Sequence, residues 1–101
     1  MIYTLDDIEA KIIPIAKQYN ISKVYLFGSY ARGEEDENSD IDIALELEDI
    51  SKYMDVYGSL SSIFSRNVDI LLVSDLLSPS TNIGALVKKS FLNDRILLYH
   101  K

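Results

Sequence analysis

Two aspartates separated by one residue, Asp40 and Asp42, are the residues whose type and spacing most clearly permit chemistry. They open an alternating stretch, and because successive side chains of a strand point to opposite faces, both carboxylates share one face of a half-buried strand. The apolar set is Ile41, Ile43, Leu45 and Leu47, and the opposite set is Asp40, Asp42, Ala44, Glu46 and Glu48. Magnesium is held by one or two carboxylates together with substrate phosphates, so the pair is a candidate catalytic metal site.

A third carboxylate, Asp69, interrupts the otherwise apolar run from 68 to 73. If that run is a neighbouring strand, Asp69 can complete a cluster with the first two aspartates. In two-metal sites the cations lie roughly 3.5–4 Å apart and act on the attacking and leaving oxygens. Taken alone, Asp69 is equally typical of a strand edge that faces water, so its predicted role depends on Asp40 and Asp42.

The turn Gly28-Ser29 lies ten residues before the aspartate pair and suits a phosphate. A turn without side-chain bulk at the start of a helix directs free backbone N–H groups at an anion, and the Ser29 hydroxyl can donate one more hydrogen bond. Arg32 follows on the same short helix and could reach either a phosphate or a nearby carboxylate. An ordinary surface ion pair is an equally good interpretation of Arg32.

Two other phosphate or metal motifs fail at named positions. The glycine spacing fits a P-loop, but Glu34 and Glu35 occupy the positions that need lysine and a hydroxyl residue. An EF-hand loop starting at Asp36 would place Ile41 where the turn needs glycine and Leu47 where the bidentate glutamate belongs. The sequence therefore argues against both sites.

Local patterns predict the elements that must position these residues. Thr4 and Asp7 suit the start of a first helix, and Pro14 within that helix predicts a kink or a break near Ile13. The later elements are a strand over 23–27, a short helix over 29–33, a strand from 40, a helix over 50–64, a strand over 68–73, a loop around 78–80, a helix over 83–91 and an extended piece over 95–99. Ile50, Met54, Tyr57, Leu60 and Phe64 form the apolar set of the second long helix. This order predicts one α/β domain over 1–101, with a small mixed β-sheet and helices packed mainly on one face.

Composition narrows the function classes. The chain has 101 residues, 48% of them hydrophobic, no cysteine and a net charge of −6. Disulfides and thiolate metal sites are excluded, and the absence of a long apolar run or a secretory signal predicts a cytoplasmic protein with no membrane anchor. The acidic balance argues against direct nucleic-acid binding, although metal ions could still bring in an anionic substrate. The acidic window between 34 and 49 is also compatible with a solvated loop.

The sequences GSYARG, at 28–33, and SDIDIAL, at 39–45, together resemble the polymerase-beta-type nucleotidyltransferase superfamily. The resemblance is to its minimal stand-alone branch, known as MNT, and extends over nearly the whole chain. It implies that Asp40, Asp42 and Asp69 bind two Mg²⁺ ions and that Gly28 and Ser29 hold nucleotide phosphates. It also implies a partner, because members of this branch are often paired with a HEPN ribonuclease toxin and act as its antitoxin by transferring AMP from ATP to a toxin tyrosine.

Two alternatives remain open from the sequence. The domain could neutralise a partner by surface contact alone, as a non-catalytic binding module whose carboxylates are spectators. It could also transfer a nucleotide to a small molecule such as an aminoglycoside, although the chain is short for a substrate that needs a second enclosing domain.

Overall fold

The computed structural model describes residues 3–78 and 81–101. Within these residues the strands are β1 (Lys23–Phe27), β2 (Ile41–Glu46), β3 (Val68–Leu72) and β4 (Ile96–His100). The helices are α1 (Leu5–Gln18), α2 (Ser29–Arg32), α3 (Tyr53–Ile63), α4 (Val73–Leu77) and α5 (Asn82–Asp94), and a 3-10 turn (Ile50–Lys52) leads into α3. None of the described helices has the length and apolar character needed to cross a membrane.

The strands form one mixed sheet in the order β3-β2-β1-β4. Strand β1 is antiparallel to both β2 and β4, whereas β2 and β3 are parallel. A parallel pair needs a crossover connection, and α3 lies in the segment that links β2 to β3. The predicted α/β class with a small mixed sheet is therefore confirmed, and β3 lies at one edge of it.

Helix α1 starts as the sequence predicts. Thr4 accepts a hydrogen bond from the backbone N–H of Asp7, and the Asp7 side chain accepts one from the backbone of Thr4, which forms a complete capping box. Of the kink or break predicted near Ile13, the break is wrong, because α1 continues to Gln18. Proline removes only one helical hydrogen bond, and buried apolar residues on both sides of Pro14 hold the two halves against the sheet.

The main core lies on one face of the sheet. There α1 and α3 cover the inward side chains of the four strands, as the predicted alternation of β2 requires. A smaller cluster on the second face consists of Phe27, Ala44, Val73, Leu76 and Phe91. Helices α4 and α5 thus cover part of the face that carries Asp42, which is why Ala44 is fully buried.

Two local predictions need correction, and a third lies mostly outside the described residues. Strand β3 ends at Leu72, and α4 occupies a segment for which the sequence predicts strand and loop. The predicted loop around 78–80 lies outside the described residues except for Ser78. Of the predicted apolar set, Leu60 and Phe64 are buried, whereas Ile50 in the 3-10 turn and Met54 and Tyr57 in α3 are exposed. Val56 is the other buried residue of α3. The apolar stripe of this helix is rotated, because its inward face is chosen by the sheet beneath it.

Candidate active site

Strand register brings the predicted carboxylates together. In the parallel pairing of β2 with β3, Asp42 lies directly opposite Asp69. Partner residues in adjacent strands project from the same face of a sheet, so these two side chains meet. Asp40 lies just before β2, is exposed, and still raises the pKa of Asp42 through its charge. All three predicted acidic residues therefore lie on the same side of the molecule.

The environment of Asp42 favours the protonated carboxyl group. Its pKa is raised to about 7, first by burial, then by the charge of Asp69 and the hydrogen bond between the two side chains, and then by the charge of Asp40. Arg32 acts weakly in the opposite direction. A carboxylate in this situation gains from any nearby positive charge, which is what a cation-dependent site requires.

Gly28 permits the close packing at the centre of the site. Its φ angle of 78° lies in the left-handed region that glycine adopts readily. A Cβ atom added there would overlap Oδ2 of Asp42. The glycine predicted to approach a phosphate therefore also makes room for the Asp42 carboxylate. Ser29, the first residue of α2, is half-buried beside this turn.

Arg32 contacts carboxylates in this structure. Its Nε donates to Glu34 Oε2 at 2.8 Å and its Nη1 donates to Asp94 Oδ2 at 2.7 Å. The Ser90 hydroxyl donates to the same Asp94 oxygen at 3.0 Å. Of the two interpretations offered by the sequence, the ion pair is the one observed, and a phosphate contact stays a prediction. The sequence gives no signal for Ser90 and Asp94, because only folding brings α5 beside α2.

The carboxylate pair lines a cleft of about 530 Å³ that the sequence does not predict. Its other walls include Tyr57 from α3, Leu71 from β3, and Val87 and Ser90 from α5. Tyr57 also borders a second cleft of about 330 Å³, which is lined by Asp40, Asp69 and Arg66 among others. The residues that shape the surroundings of the aspartates thus come from helices far apart in the sequence.

The acidic segment before β2 is an ordered loop at the mouth of this site. The Asp36 carboxylate accepts hydrogen bonds from the backbone N–H of Asn38 at 2.8 Å and from the Ser39 hydroxyl at 3.2 Å. Arg66 Nη1 donates to the backbone carbonyls of Asp36 at 3.0 Å and Ser39 at 2.8 Å. Glu34, Asp36 and Glu37 are exposed, so the loop is solvated, as one interpretation of the charge pattern predicts.

The donor atoms suit a cation that binds together with a nucleotide. Among the described residues, no group of three or more Asp, Glu, His or Cys side chains is arranged to hold a metal ion by itself. Magnesium is typically bound by one or two carboxylates plus substrate phosphates and water, and Asp42 beside Asp69 supplies that part of the ligand set. The chemistry of the donors therefore fits Mg²⁺, and the predicted binding of two ions stays a prediction.

Comparison with known families decides the class of this fold. The family described as Polymerase beta, Nucleotidyltransferase matches residues 10–101. The chain belongs to this family. The resemblance seen in GSYARG and SDIDIAL is thereby confirmed, and with it the expectation that the chain is an enzyme of the nucleotidyltransferase class.

Curated relatives of this nucleotidyltransferase carry a more specific name. A protein of Methanocaldococcus jannaschii, provisionally named a protein adenylyltransferase, is 32% identical over 95 residues, which are 91% of this chain and 95% of the relative. The protein adenylyltransferase MntA of Thermococcus cleftensis is 32% identical over 74% of this chain and 83% of its own. The MntA of Shewanella oneidensis is 40% identical over 80 residues, which are 72% of this chain and 54% of that protein.

Solved structures show the same architecture. A chain of a toxin–antitoxin complex crystallised with AMP-PNP superimposes on the nucleotidyltransferase with a TM-score of 0.65 at 28% identity, covering 92% of this chain and 73% of that one. A chain of the complex between a tri-AMPylated Shewanella oneidensis HEPN toxin and its MNT antitoxin gives a TM-score of 0.61 at 23% identity, with 97% and 74% covered. At that identity the second likeness shows the fold alone.

Proposed function

We propose that this nucleotidyltransferase moves AMP from ATP, with Mg²⁺, onto a tyrosine hydroxyl of a HEPN-type toxin and so acts as its antitoxin. The observation that carries the proposal is the pairing of Asp42 with Asp69 against the Gly28 turn. The relatives named protein adenylyltransferase support AMP as the transferred group. The fold shared with toxin–antitoxin complexes supports the class of partner.

Each site residue has a separate task in this proposal. Gly28 and Ser29 offer backbone N–H groups and a hydroxyl to the phosphates, as a helix start does for anions. Asp42 and Asp40 would hold a bound cation beside those phosphates, and Asp69 would face the acceptor hydroxyl. Bound Mg²⁺ would supply charge neutralisation for the triphosphate and lower the pKa of the acceptor hydroxyl.

The reaction itself demands mainly positioning. The acceptor oxygen forms a bond to the α-phosphorus, the P–O bond to the β-phosphate breaks, and pyrophosphate leaves while the hydroxyl proton passes to the surrounding carboxylates or water. Most catalysis of such transfers comes from holding the reactants in line and stabilising developing charge. The parallel pairing of β2 with β3, which places Asp42 opposite Asp69, is suited to both tasks.

Intact-mass analysis of the HEPN partner tests the proposal. The partner is incubated with this protein, Mg²⁺ and each nucleoside triphosphate in turn, and we expect the mass of one or more AMP groups to appear with ATP. Asp42→Asn should lower the transfer rate by about a thousandfold, because it removes a charge that the cation needs. Glu37→Gln, in the exposed loop, is the matched control and should leave the rate unchanged.

The same variants distinguish catalysis from neutralisation by contact. Under the proposal, Asp42→Asn loses its protection of cells against the toxin while it still folds. Full protection by Asp42→Asn, or no mass increase with the wild-type protein, would contradict enzymatic neutralisation and favour a binding module.

A further inference from the structure

The cleft beside the carboxylate pair extends from Phe27, the residue before the phosphate-binding turn, to Asp69 and Leu71 on the edge strand β3, and Tyr57 also lines it. Gly28 follows the inner strand β1, Asp42 lies on the other inner strand β2, and Asp69 lies on the edge strand β3. Tyr57 of α3 lines this cleft although α3 packs on the opposite face, so its ring reaches the cleft around the edge formed by β3. Across the sheet, the Gly28 turn therefore comes first, the paired carboxylates of Asp42 and Asp69 come next, and the Tyr57 ring lies beyond them.

This order matters because phosphoryl-type transfer has an in-line geometry. The attacking and leaving oxygens lie on opposite sides of the phosphorus atom. If the departing pyrophosphate is held at Gly28 and Ser29, the attacking hydroxyl approaches from the side of Asp69. The cleft bordered by Tyr57 is therefore placed where an acceptor must enter.

The lining of the cleft restricts what that acceptor can be. Asp42 and Asp69 lie within it, and no lysine or arginine is among its described lining residues. The cleft therefore offers no basic side chain to an anionic acceptor. The remaining walls include the Tyr57 ring and the aliphatic side chains of Leu71 and Val87, which suit a flat apolar ring.

A hydrogen bond from the neighbouring Tyr53 fixes the part of α3 that carries Tyr57. The hydroxyl of Tyr53, one helical turn earlier, donates to the backbone carbonyl of Ile70 at 2.6 Å and so ties α3 to β3 beside Asp69. The Tyr53 and Tyr57 rings lie 6.2 Å apart between centroids. On the α5 side, Ser90 is fixed by its hydrogen bond to Asp94. Both walls of the cleft are thus supported independently of any ligand.

We propose that this cleft binds the phenol ring of the acceptor tyrosine, with Tyr57 as the residue that selects an aromatic hydroxyl over an aliphatic one. The inference rests on the proposed function, since it names the subsite that the AMP acceptor occupies. Tyr57 packs against the ring in an edge or offset arrangement, and Leu71 and Val87 close the opposite side. The acceptor oxygen then lies next to Asp69.

Binding of small acceptor mimics tests the cleft without requiring the reaction. The full chain, labelled with ¹⁵N, is saturated with Mg²⁺ and α,β-methylene-ATP, which cannot release pyrophosphate, and titrated with N-acetyl-L-tyrosinamide. We expect amide shifts at Asp69, Leu71, Val87 and Ser90. N-acetyl-L-threoninamide, which has a hydroxyl but no ring, should bind at least about fivefold more weakly, because it lacks the aromatic contact.

Variants of α3 identify the selecting residue. Tyr57→Ala should weaken tyrosinamide binding about five- to tenfold, whereas Tyr57→Phe, which keeps the ring, should stay within about twofold of the wild type. Met54→Ala is the matched control, since Met54 is 72% exposed on the same helix and is not among the residues lining the cleft. In the transfer assay, Tyr57→Ala should raise the KM for the protein acceptor and leave the KM for ATP unchanged.

Four results would overturn the inference: no tyrosinamide binding at millimolar concentrations, equal binding of the threonine mimic, shifts confined to another surface, or binding of tyrosinamide to the nucleotide-free protein but not to the protein saturated with α,β-methylene-ATP. The last result would assign the cleft to the nucleotide base. If tyrosinamide binds as expected but the wild-type protein transfers no AMP to its HEPN partner, the proposed function fails while the aromatic subsite stands.

Discussion

Two acidic regions of this nucleotidyltransferase differ in what surrounds their charges. In the loop before β2, Asp36 is exposed and its carboxylate accepts hydrogen bonds from its own loop. At the strand pair, Asp42 is half-buried against Asp69 and its pKa is raised to about 7. The loop carries more carboxylates in the sequence, yet the strand pair concentrates the electrostatic repulsion. Charge density along a chain is therefore a poor guide to a site, whereas strand register is a good one.

Substitution of Gly28 should disturb the strand-pair site strongly, because Gly28 packs directly on the Asp42 carboxylate. Gly28→Ala places a methyl group on the Asp42 carboxylate and forces a left-handed backbone on alanine, so we expect at least about a hundredfold loss of transfer. Gly33→Ala is the matched control, because its φ angle of 71° is similar but its Cβ would meet nothing within 4 Å. It should lose only about 1 kcal/mol of stability and keep its activity. Similar activity in the two variants, measured as the initial rate of AMP transfer, would refute the packing argument.

Arg32 offers a smaller test of how far the site extends along α2. If phosphate binding draws Arg32 away from its carboxylate partners, Arg32→Ala should raise the KM for ATP about tenfold, because a charge-assisted hydrogen bond is lost. Asp94→Asn removes one partner and leaves the guanidinium, so its KM for ATP should not rise. Steady-state kinetics of both variants decide the point, and an unchanged KM in Arg32→Ala would leave this residue as a surface ion pair.

The smallest expected effect concerns stability and pH. Because the folded pKa of Asp42 is raised above that of an unfolded aspartate, near 3.8, its protonated form stabilises the fold below about pH 4, and this contribution is lost as the pH rises through about 7. Without divalent cations, the free energy of unfolding of Asp42→Asn should therefore exceed that of the wild type by about 1 kcal/mol at pH 8, a difference that solvent screening keeps small. Near pH 4 the two proteins should be equally stable. Urea unfolding at the two pH values measures this difference. A destabilised Asp42→Asn at pH 8 would contradict the repulsion.

The sequence predicts the parts of the fold that depend on local pattern. The bounds of β1 and the capping box of α1 are confirmed, because a β-rich run ending at glycine and a Thr-x-x-Asp start act through neighbouring residues. The alternation of β2 correctly places Asp42 on the face opposite the main core. Residues whose roles depend on spacing within one or two elements are thus predictable.

The rest depends on contacts between distant segments. Helix α4 is missed because its first residue, Val73, continues the apolar pattern of β3. The exposed position of Tyr57 follows from how α3 packs on the sheet, and Asp94 meets Arg32 only through α5. The pairing of β2 with β3 cannot be obtained from periodicity, which gives the face of a side chain but not its neighbouring strand.

Substitution of Asp69 tests the central claim most directly. Of the three aspartates, the sequence gives the weakest grounds for a catalytic role of Asp69, whereas the pairing of β2 with β3 places Asp69 directly opposite Asp42. The measurement is the initial rate of Mg²⁺-dependent AMP transfer to the HEPN partner by Asp69→Asn and by Asp36→Asn, with folding of both checked by circular dichroism. The register of β2 and β3 predicts that Asp69→Asn loses about a hundredfold or more and that Asp36→Asn keeps the wild-type rate. A folded Asp69→Asn protein that transfers AMP as fast as the wild type would contradict the account.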